Sequence, residues 1–456
     1  MFEELLKRQF RIDLIEKDKS PRLSFSRLKY NFDYPMMCKI VDSFTETSPY
    51  HCWIYGKPLP KEIKEVANSH ILINKNEIKN EINWILLSIR KYKDEINNFL
   101  QYKNKYDIAL MNGDYQQAEN LLNQIEKEIC VSLWSIENRF LMIELRKGLK
   151  ENTNFLNEIN TQNQIGFIQH FAYFYSIKAE KELSVNRYEV SLLKFILPHV
   201  RNNFTEDIEY YLFKLNPLRQ NTYNHLPSIL AIENYNSVID KYLTLIQVLQ
   251  LSFINLKSDD SDLKNYLENR LFYLRKKIND KQIEILYSLC VDIGGNIAPD
   301  FIDKQCIEIL DLYTEGNYLQ AEDKSKKIID ENPLMIELYP IYIKSVILQK
   351  KEFEINDNNN SYKQIILSAL YDLYKKDKNP VDIGIILKKI AYNLSGIGNV
   401  AYFLINIVKQ ELENDISFNK LSIIKSSFLN PTLAFLHSNP IEYTQTQLDF
   451  FPISTT

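Results

Sequence analysis

Six histidines, His51, His70, His170, His199, His225 and His437, are the side chains able to move a proton near neutral pH. No two stand at metal-ligand spacing, and the five cysteines (Cys38, Cys52, Cys130, Cys290, Cys306) form no Cys-x-x-Cys or Cys/His pair. The chain contains no P-loop, Gly-x-Gly-x-x-Gly, Gly-x-Ser-x-Gly or His-Glu-x-x-His, so no cofactor and no metal are expected. One combination remains, Arg219 and His225 in Arg219-Gln-Asn-Thr-Tyr-Asn-His225. Six residues along a helix turn a side chain about 120° away, so the two converge only where a helix ends or distorts. Pro227 predicts such an end; the plainer reading is a polar pair at a helix terminus.

The elements that must carry these residues are helices. The segment 305–350 holds two apolar-periodic stretches joined at Glu315-Gly316-Asn317 and a third opened by Asn332-Pro333, which predicts helix, tight turn, helix, turn, helix. Gly316 supplies the backbone freedom of the turn, Tyr318 offers a ring to the neighbouring helix, and Ala321 lets two axes approach. Pro333 fits a first helical turn with Asn332 as its cap, a device that recurs at Asn216-Pro217, Asn379-Pro380 and Asn430-Pro431. Ile82, Ile85, Leu86, Ile89, Ile96, Phe99 and Leu100 predict one long amphipathic helix, and Gly148 a helix stop.

Proline usage divides the chain. Pro21, Pro35, Pro49, Pro58 and Pro60 crowd the first sixty residues, and none follows before Pro198. Residues 1–60 are therefore expected to be an irregular N-terminal segment or cap, with an opening helix and a short extended run over His51-Cys-Trp-Ile-Tyr55. A helical repeat region follows over 61–352, then a polar loop at 356–361, a C-terminal helical region over 362–437 and an extended, flexible tail over 438–456.

At 456 residues, with 45% hydrophobic and 25% charged residues, the chain can bury a sizeable core. Its 29 Tyr and 24 Phe require many helix–helix seams, and its ten glycines disfavour a turn-rich α/β fold. A formal charge of −4 gives no global reason to bind a polyanion, so direct nucleic-acid binding is not expected. The stretch 390–408 is long enough for a membrane span but is interrupted by Asn393, Gly396, Gly398, Asn399 and Asn406, which predicts two buried helices joined at the glycines and no membrane. With cysteines suited to a reduced core and no secretory h-region, a cytoplasmic location is expected.

Gly316-Asn317-Tyr318-x-x-Ala321, with Pro333 seventeen residues beyond the glycine, resembles the tetratricopeptide repeat (TPR), and Gly113-Asp114-Tyr115-x-x-Ala118 is a second copy. The repeat's tryptophan is missing from both copies, and Cys130 stands where the proline would be. Asn186-Arg-Tyr188-x-x-Ser191 and Asn234-Tyr235-x-x-Val238 are fainter echoes. The resemblance implies an all-α protein, a degenerate TPR-like solenoid or α-α superhelix of stacked hairpins that binds a protein or peptide in a groove. Arg219 and His225 resemble the Arg-x(4–6)-His signature of the HEPN ribonucleases, in which the His would serve as acid/base group and the Arg would hold the scissile phosphate.

Gln447-Leu448-Asp449-Phe450-Phe451 resembles the bacterial sliding-clamp-binding motif, departing from it at Phe450 where a leucine is usual. An extended chain end can place Gln447 in amide hydrogen bonds and Leu448 with the phenylalanine pair in an apolar pocket. The competing reading is that Phe450 and Phe451 fold back onto the last helices. Together these features point to a non-catalytic bacterial scaffold or adaptor, with a HEPN-like ribonuclease and a helical receptor for a peptide signal as the alternatives. A labelled peptide covering residues 444–453 is expected to bind a bacterial clamp saturably, and its deletion to abolish clamp capture; a peptide that does not saturate removes the tether.

Overall fold

The computed structural model describes residues 21–44, 48, 50–66, 75–162, 166–201, 205–216, 223–254, 261–291, 304–353, 361–376 and 378–408. Among them the chain is all-α, with no strand.

The proline-rich beginning is helical, contrary to the irregular segment expected. Helices α1 (Pro21–Asn31), α2 (Tyr34–Val41) and α3 (His51–Tyr55) occupy it. Asp33 caps α2, its carboxylate accepting from the Met36 N–H at 2.9 Å, and Pro35 sits in the first turn where its missing N–H costs nothing. The alternating run at 51–55 predicted an extended strand; instead Gly56 closes a single helical turn onto the Cys52 carbonyl, and Trp53 stacks on the buried Phe25. The expected long helix is two, α4 (Ile78–Lys91) and α5 (Lys93–Asn112), broken at Tyr92. The Tyr92 ring meets Tyr55 edge-on at 6.0 Å, and the apolar stripe stays buried on both sides of the break from Ile82 to Phe99.

The Gly-[Asp/Asn]-Tyr-x-x-Ala pattern performs one job twice. After α5 comes α6 (Tyr115–Gln124); after α16 (Lys304–Thr314) comes α17 (Tyr318–Glu331). Gly113 and Gly316 have φ of +79° and +85°, left-handed values that glycine adopts without Cβ strain. In both hairpins the next N–H reaches back across the turn, Asp114 to Ala109 O and Asn317 to Leu312 O, each at 2.9 Å. Asp114 and Asn317 then cap the following helix by accepting from Gln117 N and Gln320 N. Ala118 and Ala321 are fully buried, and Tyr115 and Tyr318 pack partly buried against the core.

The fainter echoes do not share this device. Tyr188 lies inside α10 (Val185–Arg201), four residues past the capping Ser184, and Tyr235 precedes its helix. Asn332-Pro333 also differs from expectation. Asn332 ends α17, donating its N–H to Ile328 O, and four residues separate Pro333 from α18 (Leu338–Leu348). The Pro333 carbonyl accepts from the Tyr339 hydroxyl at 2.8 Å, which fixes the turn. Asn379-Pro380 does open a helix, α20 (Pro380–Asn393), and α19 (Tyr362–Lys375) is capped by Ser361. Helix α21 (Gly398–Val408) follows across the glycine turn, so 390–408 is two helices as expected. No described helix is long and apolar enough to cross a membrane.

The remaining elements are α7 (Leu133–Lys147), closed by Gly148 as expected, α8 (Leu149–Gln162), α9 (Gly166–Ala179), α11 (Thr205–Leu215), α12 (Leu226–Glu233), α13 (Val238–Ile254), α14 (Ser261–Arg275) and α15 (Lys281–Val291). Consecutive helices pack on one another, as in stacked hairpins, but the packing does not stop at neighbours. Helix α13 touches α4, α5, α7 and α15, α19 lies on α5, and α20 lies on α9 and α10. Among the described cysteines, Cys130 and Cys306 are buried as expected of core residues, Cys38 is half-buried, and Cys52 is exposed at the surface.

Substituting either turn glycine by alanine is expected to cost roughly 1–2 kcal/mol through positive φ alone. Gly113→Ala should cost more than Gly316→Ala, because its Cβ would also come within 3.0 Å of the Ser361 side chain while nothing lies within 4 Å at Gly316. Urea unfolding of the two variants checks the order, and equal losses would contradict it.

Candidate functional site

Within the otherwise apolar stretch 226–254, the charges Glu233, Asp240 and Lys241 stand out, and all three are buried. Burying a charge is unfavourable unless hydrogen bonds replace its water, so their partners decide what the site does. Helix α12 ends at Glu233, and Ser237 restarts the chain as α13 by accepting from the Asp240 N–H at 3.1 Å.

Asp240 turns its carboxylate onto the N-terminus of α7. It accepts from Leu133 N at 2.9 Å, Trp134 N at 3.1 Å and the Ser237 hydroxyl at 2.7 Å. Ser132 serves the next two positions, its hydroxyl accepting from Ser135 N at 3.0 Å and its carbonyl from Ile136 N. Every N–H that an α-helix leaves open at its start is thus filled in α7, with a negative group at the positive end of the helix dipole. Burial nevertheless pushes the Asp240 carboxyl up to about 6.

Lys241 points the other way, donating to the Tyr55 carbonyl at 2.5 Å and to the Ser88 hydroxyl at 3.2 Å, and so ties α13 to the end of α3 and to α4. Desolvation pushes its ammonium down to about 7, against the pull of Glu233 and Asp240. Glu233 accepts from Lys214 Nζ at 2.7 Å, the Tyr210 hydroxyl at 3.0 Å, Thr244 Oγ1 at 2.8 Å and Asn236 Nδ2 at 3.1 Å, which joins α11, α12 and α13. Residues 56–60 strap the joint. The Pro58 and Pro60 carbonyls accept from Val238 N and Val131 N, each at 2.8 Å, and a Cβ on Gly56 would come within 2.7 Å of Tyr235 Cα.

A second polar seam crosses the outer face of α7. Lys178 of α9 pairs with Glu137, and the Ser395 hydroxyl donates to the same carboxylate at 2.7 Å. A Cβ on Gly396 would sit 3.1 Å from Trp134 Nε1 and 3.3 Å from Asn138 Nδ2, so the turn between α20 and α21 rests directly on α7. The Tyr392 hydroxyl of α20 donates to Glu189 of α10 at 2.7 Å.

These groups can join helices; they cannot reach a substrate. Both carboxylate oxygens of Asp240 are filled by internal donors, and Glu233, Asp240 and Lys241 lie at most 1% exposed. The sequence reasoning missed them, although three charges within an apolar run were the signal. Of the residues it singled out, Arg219 and the tail residues Gln447, Leu448, Asp449, Phe450 and Phe451 lie outside the described residues. His225 closes a short 3₁₀ turn ahead of α12, and Pro227 lies in the first turn of that helix, opening it where a helix end was expected. Among the described residues no group of three His, Cys, Asp or Glu side chains is placed to hold a metal ion. In the basic runs Arg275-Lys276-Lys277 and Lys324-x-Lys326-Lys327, Arg275 is bonded to Glu284 at 2.5 Å and Lys324 to Glu308.

No protein-family model matches the chain, and no solved structure matches it. Over 278 residues it is 24% identical to the Detocs histidine-protein kinase DtcA of Enterobacter cloacae (strain JD6301). The match takes in 60% of this chain and 24% of that kinase, so the chain spans about a quarter of the length of the relative it matches.

Because the Lys241 ammonium ionises at about 7 when folded and at 10.5 ordinarily, the unfolded chain binds the extra proton between those values. Stability from this group therefore increases as pH rises from about 7 toward 10.5. Lys241→Met should flatten that part of the stability–pH curve relative to the unsubstituted chain; unchanged slopes would show that the ammonium does not titrate there.

Proposed function

We propose that the chain is a non-catalytic interaction module that holds a protein or peptide partner on its helical surface. The reading rests chiefly on how its chemistry is spent: the buried charges act as joints between helices, and the repeated glycine–cap–tyrosine device builds hairpins of the kind that present binding surfaces. Exposed apolar side chains support a partner surface. Val381 and Ile385, 65% and 55% exposed, share one stripe of α20, and α10, which packs against α20, carries the exposed Val190 and Leu193. Gln447 to Phe451 would add a tether to a bacterial sliding clamp from the far end of the chain.

The similarity to a histidine-protein kinase favours one refinement, a receptor role. A helical module common to this chain and to a quarter of that protein would serve there as the part that senses a partner or peptide signal, with phosphotransfer residing in the remainder.

Val381→Asp combined with Ile385→Asp should abolish specific partner capture from the native host while leaving the thermal unfolding midpoint within a few degrees of the original, because both side chains already face water. Retention of the same partners by the doubly substituted chain would place recognition elsewhere. For the receptor refinement, a bound peptide signal should raise the unfolding midpoint in proportion to its concentration over Kd.

A further inference from the structure

Helix α20 leaves Val381, Ile385 and Ile386 in water, more large apolar side chains than any other described helix exposes. Val381, Ile385, Lys388 and Tyr392 follow one another at intervals of four, three and four, so they share one stripe of the helix. That stripe is exposed at its start and buried at its end. There the Tyr392 ring meets Tyr188 of α10 edge-on at 5.4 Å, and its hydroxyl donates to Glu189. The apolar stripe thus runs into a helix–helix contact and lies uncovered for the two turns before it.

Helix α10 continues the pattern. Leu193, 54% exposed, stands one turn beyond Glu189 and so on the side of α10 that meets α20; Val190, also exposed, lies one turn before Leu193. Charge surrounds these side chains unevenly. Among the described side chains of α10 and α20, the cations are Arg187, Lys194, Lys388 and Lys389, and the acids are Glu189 and Asp382. Glu189 already accepts from the Tyr392 hydroxyl, which leaves the balance of the face positive. Lys389 follows Ile385 by four residues and Lys194 follows Val190 by four, so on each helix a cation stands next to an exposed apolar side chain.

We propose that this face of α20 and α10 receives an acidic amphipathic helix from a partner protein, an inference that rests on the interaction-module reading above and gives its partner a chemistry. A helix with apolar residues at intervals of three and four covers Val381, Ile385 and Leu193, while carboxylates along its edges meet Arg187, Lys194 and Lys389. Burial of the apolar area supplies affinity, and the charges set orientation and reject basic helices. An anionic bilayer is matched less well, because the exposed Asp382 stands one turn before Ile386 on the water-facing side and would enter the headgroups with it.

Fluorescence anisotropy of the full chain with three labelled synthetic peptides of about 18 residues, or five helical turns, tests the face. One peptide carries leucines on a single helical face flanked by glutamates, the second has lysines in place of the glutamates, and the third is the acidic peptide scrambled so that its leucines share no face. The first should bind saturably and about tenfold or more tighter than the other two, and added salt should weaken it. Ile385→Asp should weaken it about tenfold or more, and Lys194→Glu with Lys389→Glu should reverse the order of the acidic and basic peptides. Ile385 and Lys194 face water and Lys389 is half-exposed, so these variants keep the fold, which thermal unfolding checks. Equal binding of the three peptides, or none, would overturn the proposal. So would a dimer of the full chain that Ile385→Asp separates, which assigns the face to a second copy, or sedimentation with phosphatidylserine vesicles that Ile385→Asp abolishes. If the acidic peptide fails while Val381→Asp with Ile385→Asp still loses the host partner, this inference falls and the interaction-module reading stands; if the peptide fails and capture is unchanged, both fall.

Discussion

A carboxylate from one helix, Asp240, completes the start of another helix more than a hundred residues earlier in the chain. The rest of the structure depends on this contact because it lets α7 begin inside the protein, where open N–H groups would otherwise have no water to meet. Replacing either partner would leave a buried charge or buried donors unsatisfied, so the pair is held by the cost of breaking it more than by any net gain from forming it. Around it, Lys241 reaches α3 and α4, Glu233 gathers α11 to α13, and the strap at 56–60 bonds to both sides. An open stack of hairpins needs contacts only between neighbours; this chain adds a polar centre that fixes segments from its first sixty residues against residues 131–134 and 233–244.

Much of the local structure was legible in the sequence because it is written in local chemistry. The two glycine turns, the buried Ala118 and Ala321 and the stop at Gly148 all follow from backbone freedom and close helix approach, whereas the caps Asp114 and Asn317 emerged only in the structure. The same logic failed where two local outcomes were nearly equivalent. Asn379-Pro380 opens a helix, whereas at Asn332-Pro333 the preceding helix holds the Asn332 N–H and the Tyr339 hydroxyl captures the Pro333 carbonyl. Proline was also read as a mark of irregular structure in the first sixty residues, although Pro35 stands at a capped helix start where proline is well tolerated.

The candidate sites were much less legible, for a physical reason. The buried joint draws its atoms from segments near 56–60, 88, 131–135, 210–214 and 233–244, and no spacing rule links positions so far apart. Only the charges themselves were visible, as Glu233, Asp240 and Lys241 interrupting an apolar run.

The two polar seams also constrain how binding at one surface is felt elsewhere. Helix α7 is held at its N-terminus by Asp240 of α13 and on its outer face by the turn between α20 and α21, through Glu137, Ser395 and the close packing of Gly396 on Trp134. Trp134 belongs to both contacts, giving its N–H to Asp240 and its ring edge to Gly396. A shift of α20 therefore cannot stay local. Either the Ser395–Glu137 bond and the Gly396 contact break, which takes a hydrogen bond from the partly buried Glu137–Lys178 pair, or α7 moves with the turn and strains the bonds that Asp240 makes to its first residues. Packed interfaces of this kind switch between discrete arrangements more readily than they deform, so an α20 that carries the exposed stripe of Val381 and Ile385 is mechanically coupled to the centre of the molecule.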